Sequence, residues 1–247
     1  MRAAALITGG KDSALALYRS IRQGFEVVDL VTMTPQRADS WMFHYPNIHI
    51  ADLFAEAVGI PLVKAETSGI RDTELADLKQ VLAQLSVEAI VSGSISSQYQ
   101  KEHIDKICRE LNLQHIAPLW HEDPLALLRK IVELKMETII VGVYAHGFTS
   151  EWLGRKLDNA AMNDLFELNK EFEVSLVGEG GEYETLVLNA PFLKKRIKLV
   201  ETQKIWEGQS GYLLIKKATL ENQKKDSRKL QIISQLEKLK RRLLKIH

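Results

Sequence analysis

Short apolar runs and amphipathic stretches alternate along the first 144 residues with little interruption. AAALIT (3–8) has the density of a buried strand, and residues 13–23 set Leu15, Leu17, Tyr18 and Ile21 on a helical stripe. EVVDLVTM (26–33) is the next predicted strand. IHIADLFAEAVG (48–59) is the next helix, closed by Gly59 and followed by Pro61. The order repeats with strand in PLVKAE (61–66), helix in TELADLKQVLAQL (73–85) and strand in VEAIVSG (87–93). It continues with helix in QYQKEHIDKICREL (98–111) and strand in LQHIAPL (113–119). DPLALLRKIVELK (123–135) predicts a helix with Pro124 in its first turn, and METIIVGVY (136–144) a further strand. Strands separated by helices of this length imply right-handed crossovers, hence an α/β fold with a doubly wound, mainly parallel sheet.

After about residue 170 the helical stripes give way to several strands joined by short turns. The chain therefore divides into a large α/β part (1–170), a smaller strand-rich C-terminal region (171–222) and a terminal helix (223–247). That helix places Ile232, Leu236, Leu239, Leu243 and Ile246 at alternating spacings of four and three, a seam barely two heptads long. From Lys224 onward nine Lys/Arg stand against two Asp/Glu, a surplus of seven, while the rest of the chain carries −6 to give the overall +1. The tail reads as a solvated surface helix or a homo-oligomer contact. Direct nucleic-acid binding is disfavoured because no aromatics interleave its charges.

Composition narrows the classes. Hydrophobic and charged fractions of 45% and 26% are those of an ordinary soluble globular protein. No apolar run reaches the ~18 residues of a membrane span, and Ala3–Ile7 is too short for a signal peptide. A single cysteine, Cys108, excludes an internal disulfide or a multi-cysteine metal site. It lies on the Ile104–Ile107–Leu111 face of its helix, the place of a buried thiol. A cytoplasmic setting is expected.

The chemistry begins at TGGKDS, Thr8 to Ser13, between the first strand and the first helix. Gly9 and Gly10 let the backbone turn and present amides to an anion, and the helix adds its positive end. Ser13 offers a cap or a phosphate contact, and Lys11 a mobile positive charge. Asp12 fits beside a phosphate only with a cation between them, which points to Mg²⁺. The Walker spacing cannot be laid on this loop. A strand-to-helix turn with a good cap would read the same way without binding anything. A second cluster, GEGGEYET (178–185), gathers Glu179, Glu182, Glu184 and Tyr183 around Gly180 and Gly181, ending at Thr185. Three carboxylates so close repel one another unless a cation faces them, either Mg²⁺ or a cationic substrate; the alternative is an acidic turn with no role.

TGGKDS resembles the SGGxDS loop of the PP-loop ATP pyrophosphatases, with Thr8 keeping the hydroxyl of the usual serine. The resemblance implies an adenine-nucleotide alpha-hydrolase-like fold and cleavage of ATP between its α and β phosphates. It also implies an acyl- or ring-adenylate that a nitrogen or sulfur nucleophile resolves. It places adenine near the end of the second strand, by Val31, Thr32 and Met33. GEGGEYET followed by LVLNAPF is similar to one subgroup, the diphthine–ammonia ligases (diphthamide synthases). The likeness continues in SWMFHYPN (40–47), GIPL (59–62), ETSG (66–69), SGSISSQYQK (92–101), APLW (117–120) and WLGR (152–155). Lys101 stands where that subgroup more often has arginine.

What the subgroup implies is ATP-dependent amidation of diphthine on translation elongation factor 2, with ammonium as nitrogen donor and AMP and pyrophosphate released. ATP and Mg²⁺ are then the cofactors, with Asp12 on the metal. Thr8, Gly9, Gly10, Lys11, Asp12, Ser13, Met33, Ser92 and Gly93 are the expected nucleotide-binding residues. Lys11, Asp12, Glu182 and Glu184 carry the expected catalysis. His44, Tyr99, Gln100 and Glu179 to Thr185 are the expected substrate contacts, with Tyr183 as a cation–π face for the trimethylammonium of diphthine. Two other classes stand beside this one: an ATPase with the same loop that modifies tRNA, supported by the basic tail, and a non-catalytic nucleotide sensor, against which the full GGKDS loop argues.

Overall fold

The computed structural model describes residues 1–35, 47–67 and 71–223. His44 and the tail from Lys224 to His247, with the subunit contact expected of it, lie outside these residues.

Five parallel strands, β1 (Arg2–Leu6), β2 (Glu26–Pro35), β3 (Leu62–Thr67), β4 (Ala89–Val91) and β5 (Gln114–Ile116), form one sheet in the order β3-β2-β1-β4-β5. Ala3, Ala4 and Ala5 of β1 are buried on both faces, as a central parallel strand requires, and their small size lets helices approach. Helices α1 (Lys11–Arg22), α2 (Ala51–Val58), α3 (Arg71–Leu82) and α4 (Gln98–Glu110) make the crossovers. The chain winds from β1 out to β3, then returns to the other side of β1 to lay down β4 and β5. This reversal puts a crevice at the carboxyl ends of β1 and β4, where doubly wound sheets bind ligands.

Beyond β5 come α5 (Pro124–Glu133), β6 (Glu137–Val143), α6 (Asn159–Phe172), β7 (Tyr183–Asn189), β8 (Lys195–Glu207) and β9 (Ser210–Asn222). These four strands form a second sheet, ordered β7-β6-β9-β8 and antiparallel throughout. The strand expected at 136–144 as a member of the parallel sheet is thus corrected to the second one. Its Ile139, Ile140, Val141 and Val143 are all buried, so its pattern cannot tell a central antiparallel strand from a parallel one. Arg196 of β8 fastens three strands, with Nε and Nη2 donating to Glu137 of β6 at 2.7 and 2.6 Å and Nη1 to Glu221 of β9 at 2.8 Å. The guanidinium holds the Glu137 carboxyl below its ordinary range. Among the described residues no helix is long and apolar enough to cross a membrane.

The two sides of the switch point touch through backbone. A methyl group on Gly93, just past β4, would lie 2.7 Å from the Ser13 nitrogen and 2.8 Å from the Asp12 carbonyl carbon. Neither neighbour is a side chain that can swing away. Gly93→Ala is therefore expected to lower stability by about 1–3 kcal/mol, read as a lower urea midpoint, and to displace the start of α1.

Candidate active site

Thr8 to Lys11 cross the switch point from β1 into α1. Gly9 takes φ +83°, a left-handed conformation that favours glycine, and Gly10 caps the helix. Two hydroxyls shape the turn. Thr8 Oγ1 accepts from the Gly10 amide at 3.3 Å, and Ser13 Oγ donates to the Gly10 carbonyl at 3.1 Å. The loop also lies along the outer edge of β7: Lys11 N–H donates to Thr185 Oγ1 at 3.1 Å, and Val187 N–H to the Gly9 carbonyl at 2.9 Å. One segment belongs to both sheets.

Lys11 departs from expectation. Its side chain is 3% exposed rather than mobile. The ammonium donates to Asp12 Oδ2 at 2.8 Å and to the Val177 carbonyl, and stands 5.2 Å from the centre of the Tyr183 ring. It bridges the loop to the acidic turn behind it. Tyr183 is accordingly corrected as well. Its ring is buried, its hydroxyl donates to the Leu176 carbonyl at 2.6 Å, and Lys11 occupies the cationic contact expected for a substrate.

The three carboxylates of the turn separate. Glu179 reaches the loop between β4 and α4, where it accepts from the amides of Ile95 at 2.9 Å, Ser96 at 2.7 Å and Ser97 at 2.8 Å, and from the Ser96 hydroxyl. A carboxylate surrounded by donors at a helix entrance is held electrostatically, so Glu179 is a tie between sheets and not an open substrate contact. Glu182 Oε1 accepts from Ser175 N–H at 3.2 Å; its Oε2 is buried with no hydrogen-bond partner among the described residues. Glu184 sits half-buried in β7, opposite Gly142. Gly178 and Gly181 have positive φ, and a methyl on Gly180 would lie 2.8 Å from Glu182 Oε1.

A family model described as the diphthamide synthase N-terminal domain matches residues 1–115, and its C-terminal counterpart matches residues 123–220. The chain belongs to the diphthamide synthase family. It is 35% identical over 220 residues to a diphthine–ammonia ligase of Rattus norvegicus, covering 80% of this chain and 82% of that protein. It is also 35% identical over 240 residues to a diphthine–ammonia ligase of Schizosaccharomyces pombe, covering 87% of this chain and 39% of that longer protein. Among solved structures, a predicted subunit of tRNA methyltransferase from Methanocaldococcus jannaschii covers 77% of this chain and is covered over 98% of its own, with a TM-score of 0.42 and 16% identity. That likeness is too slight to bear on function.

For this diphthamide synthase family member, the remaining expected residues divide. Gly93 lies against the loop, whereas Ser92 is buried with its hydroxyl turned to Ser94 and His115. Met33 is fully buried in the cluster with Val31, Leu78 and Ile90, so its side chain offers no surface to a nucleotide. Tyr99 packs its ring 4.1 Å from that of His103 on its own helix, and Gln100 gives its amide to the Ser97 cap.

Two residues behind Ser92 went unremarked in the sequence. Ser92 Oγ lies 2.8 Å from His115 Nε2, and His115 Nδ1 lies 2.6 Å from Asp105 Oδ1, with Lys101 on the other Asp105 oxygen at 2.5 Å. They come from β5 and α4 and converge only through the fold; no local motif joins them. Cys108 nearby is buried, its thiol pushed up to about 12 by burial and by Asp105.

Burial lowers the His115 pKa below its ordinary 6.5, outweighing the pull of Asp105 in the other direction. Burial also acts to raise Asp105, but the hydrogen bonds from Lys101 and His115 outweigh it and hold its carboxyl below 3.8. Both folded values are depressed, so the unfolded chain takes up these protons first. The contribution of His115 is present above about pH 6.5 and is lost as pH falls; Asp105 adds to the loss at lower pH. In urea titrations at about pH 7.5 and about pH 5, His115→Asn is expected to lose less of its midpoint on acidification than the parent. An equal loss would contradict the assignment.

Proposed function

We propose that the protein amidates the carboxylate of diphthine on translation elongation factor 2, consuming ATP and ammonium and releasing AMP and pyrophosphate. The observation that carries this reading is the junction at Thr185 and Val187. There an anion-binding loop and an acidic turn form one continuous wall at the switch point, so a nucleotide and a cationic acceptor can meet. The ligase name of the relatives supports the same reaction.

The nucleotide phosphates fit the start of α1 at Asp12 and Ser13, where its positive end favours them, the Gly10 and Lys11 amides being given to Thr8 and Thr185. Asp12, 31% exposed beside that loop, suits a Mg²⁺ that takes most of its ligands from phosphate and water. Such an ion would supply Lewis-acid stabilisation of charge on the phosphoryl oxygens.

The diphthine carboxylate attacks the α-phosphorus in line, forming the acyl-adenylate as pyrophosphate leaves toward the helix end. Ammonia then adds to the acyl carbon and AMP departs, giving the amide. To Glu182, whose buried Oε2 has no hydrogen-bond partner among the described residues, this reading assigns the proton from ammonium. Lys11 acts from behind the loop, fixing Asp12 and the Val177 carbonyl rather than reaching out to phosphate. A translation factor as substrate sets the reaction in the cytoplasm. The tRNA-modifying alternative drew on the basic tail, which lies outside the described residues.

Incubation with ATP, ammonium and diphthine-bearing elongation factor 2 is expected to make the factor about 1 Da lighter, with AMP and pyrophosphate formed in equal amounts. Asp12→Ala and Lys11→Ala should each slow this at least about a hundredfold. ATP returned unchanged, or the factor unchanged in mass, would refute the reading.

A further inference from the structure

In β6, Gly142 lies directly between Glu184 of β7 and Tyr212 of β9. Directly opposed residues of antiparallel strands project from the same face, and so does the residue two positions along the chain. Tyr144 keeps that alternation, because its amide continues the pairing by donating to the Glu182 carbonyl at 2.8 Å. Glu184, Tyr212 and Tyr144 therefore stand on one face around a residue with no side chain. The missing side chain matters. A methyl on Gly142 would lie 2.6 Å from the Tyr144 hydroxyl and 2.9 Å from its ring, so the phenol leans back over the glycine.

The cluster is open to a ligand. Tyr144 is 42% exposed, and Tyr212 and Glu184 are half-buried. Its groups interact: burial, then the charge of Glu184, then Tyr212 push the Tyr144 phenol well above its ordinary pKa. Thr185, next to Glu184, projects from the opposite face of β7, where it binds the Lys11 amide. Tyr183 cannot serve in its place, because Lys11 already stands over its ring.

We propose that Tyr144, Tyr212 and Glu184 form the seat of a quaternary ammonium group. Two electron-rich rings beside one carboxylate suit a bulky cation that has no N–H bonds to satisfy, whereas a primary ammonium would need more acceptors. The identity of the molecule carrying that group rests on the ligase reading; the seat itself does not. On that reading the group is the trimethylammonium end of the acceptor.

The probe is tetramethylammonium chloride, with ammonium chloride at equal ionic strength and tert-butanol as the neutral counterpart. NMR signals of the two tyrosine rings are expected to shift with tetramethylammonium and with neither control. Tyr144→Leu and Tyr212→Leu should each weaken that binding roughly tenfold, Tyr→Phe should retain it, and Glu184→Gln should weaken it. With the diphthine-bearing factor, the leucine variants should raise KM by the same factor. Unchanged tetramethylammonium affinity in the Tyr144→Leu/Tyr212→Leu double variant, checked as folded by circular dichroism, would overturn the seat; ring-dependent binding with an unchanged KM would overturn its occupation by the acceptor. Ring-dependent tetramethylammonium binding without amidation of the factor would uphold the seat and reject the ligase reading.

Discussion

The ammonium of Lys11 is removed from water, and a buried cation persists only where other groups replace its hydration. Those groups come from two places. Asp12 belongs to the phosphate loop, while the Val177 carbonyl and the Tyr183 ring belong to the second sheet and the turn leading into it. The loop therefore reaches its folded form only with the second sheet docked against it. Thr185 and Val187 reinforce the same constraint through the loop backbone. The Thr8–Ser13 loop and the acidic turn are one mechanical unit.

Glu179 completes that unit from the other side. Its carboxylate gathers the amides of Ile95, Ser96 and Ser97, and so fixes the segment that brings Gly93 against α1. The three acidic residues of the turn thus divide by environment. Glu179 is saturated with donors, Glu182 keeps a buried oxygen without a described partner, and Glu184 faces Tyr144 and Tyr212 across Gly142. Mutual repulsion among them is relieved because they point to different places.

Much of the fold was legible because helix and strand periods alternate cleanly through residue 119, and glycines and prolines mark the turns. The phosphate loop was legible because its chemistry is local: Thr8 to Ser13 are consecutive, and their geometry follows from two glycines and a helix start. Strand pairing was not. IIVGV in β6 is buried whichever sheet it joins, and only the partners β7 and β9 decide. Directions of side chains were also hidden. Lys11 and Tyr183 carry the residue types of a site yet turn to each other, and the Lys11–Thr185 contact of that wall joins residues 174 positions apart. His115, Asp105, Tyr144 and Tyr212 gave no signal, since each acquires its partners only through strand order and register.

The most direct measurement is a crystal structure with α,β-methylene ATP, which cannot be cleaved at the reacting bond. The terminal phosphates should lie against the start of α1, within hydrogen-bonding distance of the Asp12 and Ser13 amides, with the α-phosphate toward β7 and Lys11 still buried behind the loop. Phosphates seated elsewhere, or a Lys11 swung out with the second sheet detached from Thr185, would contradict the account.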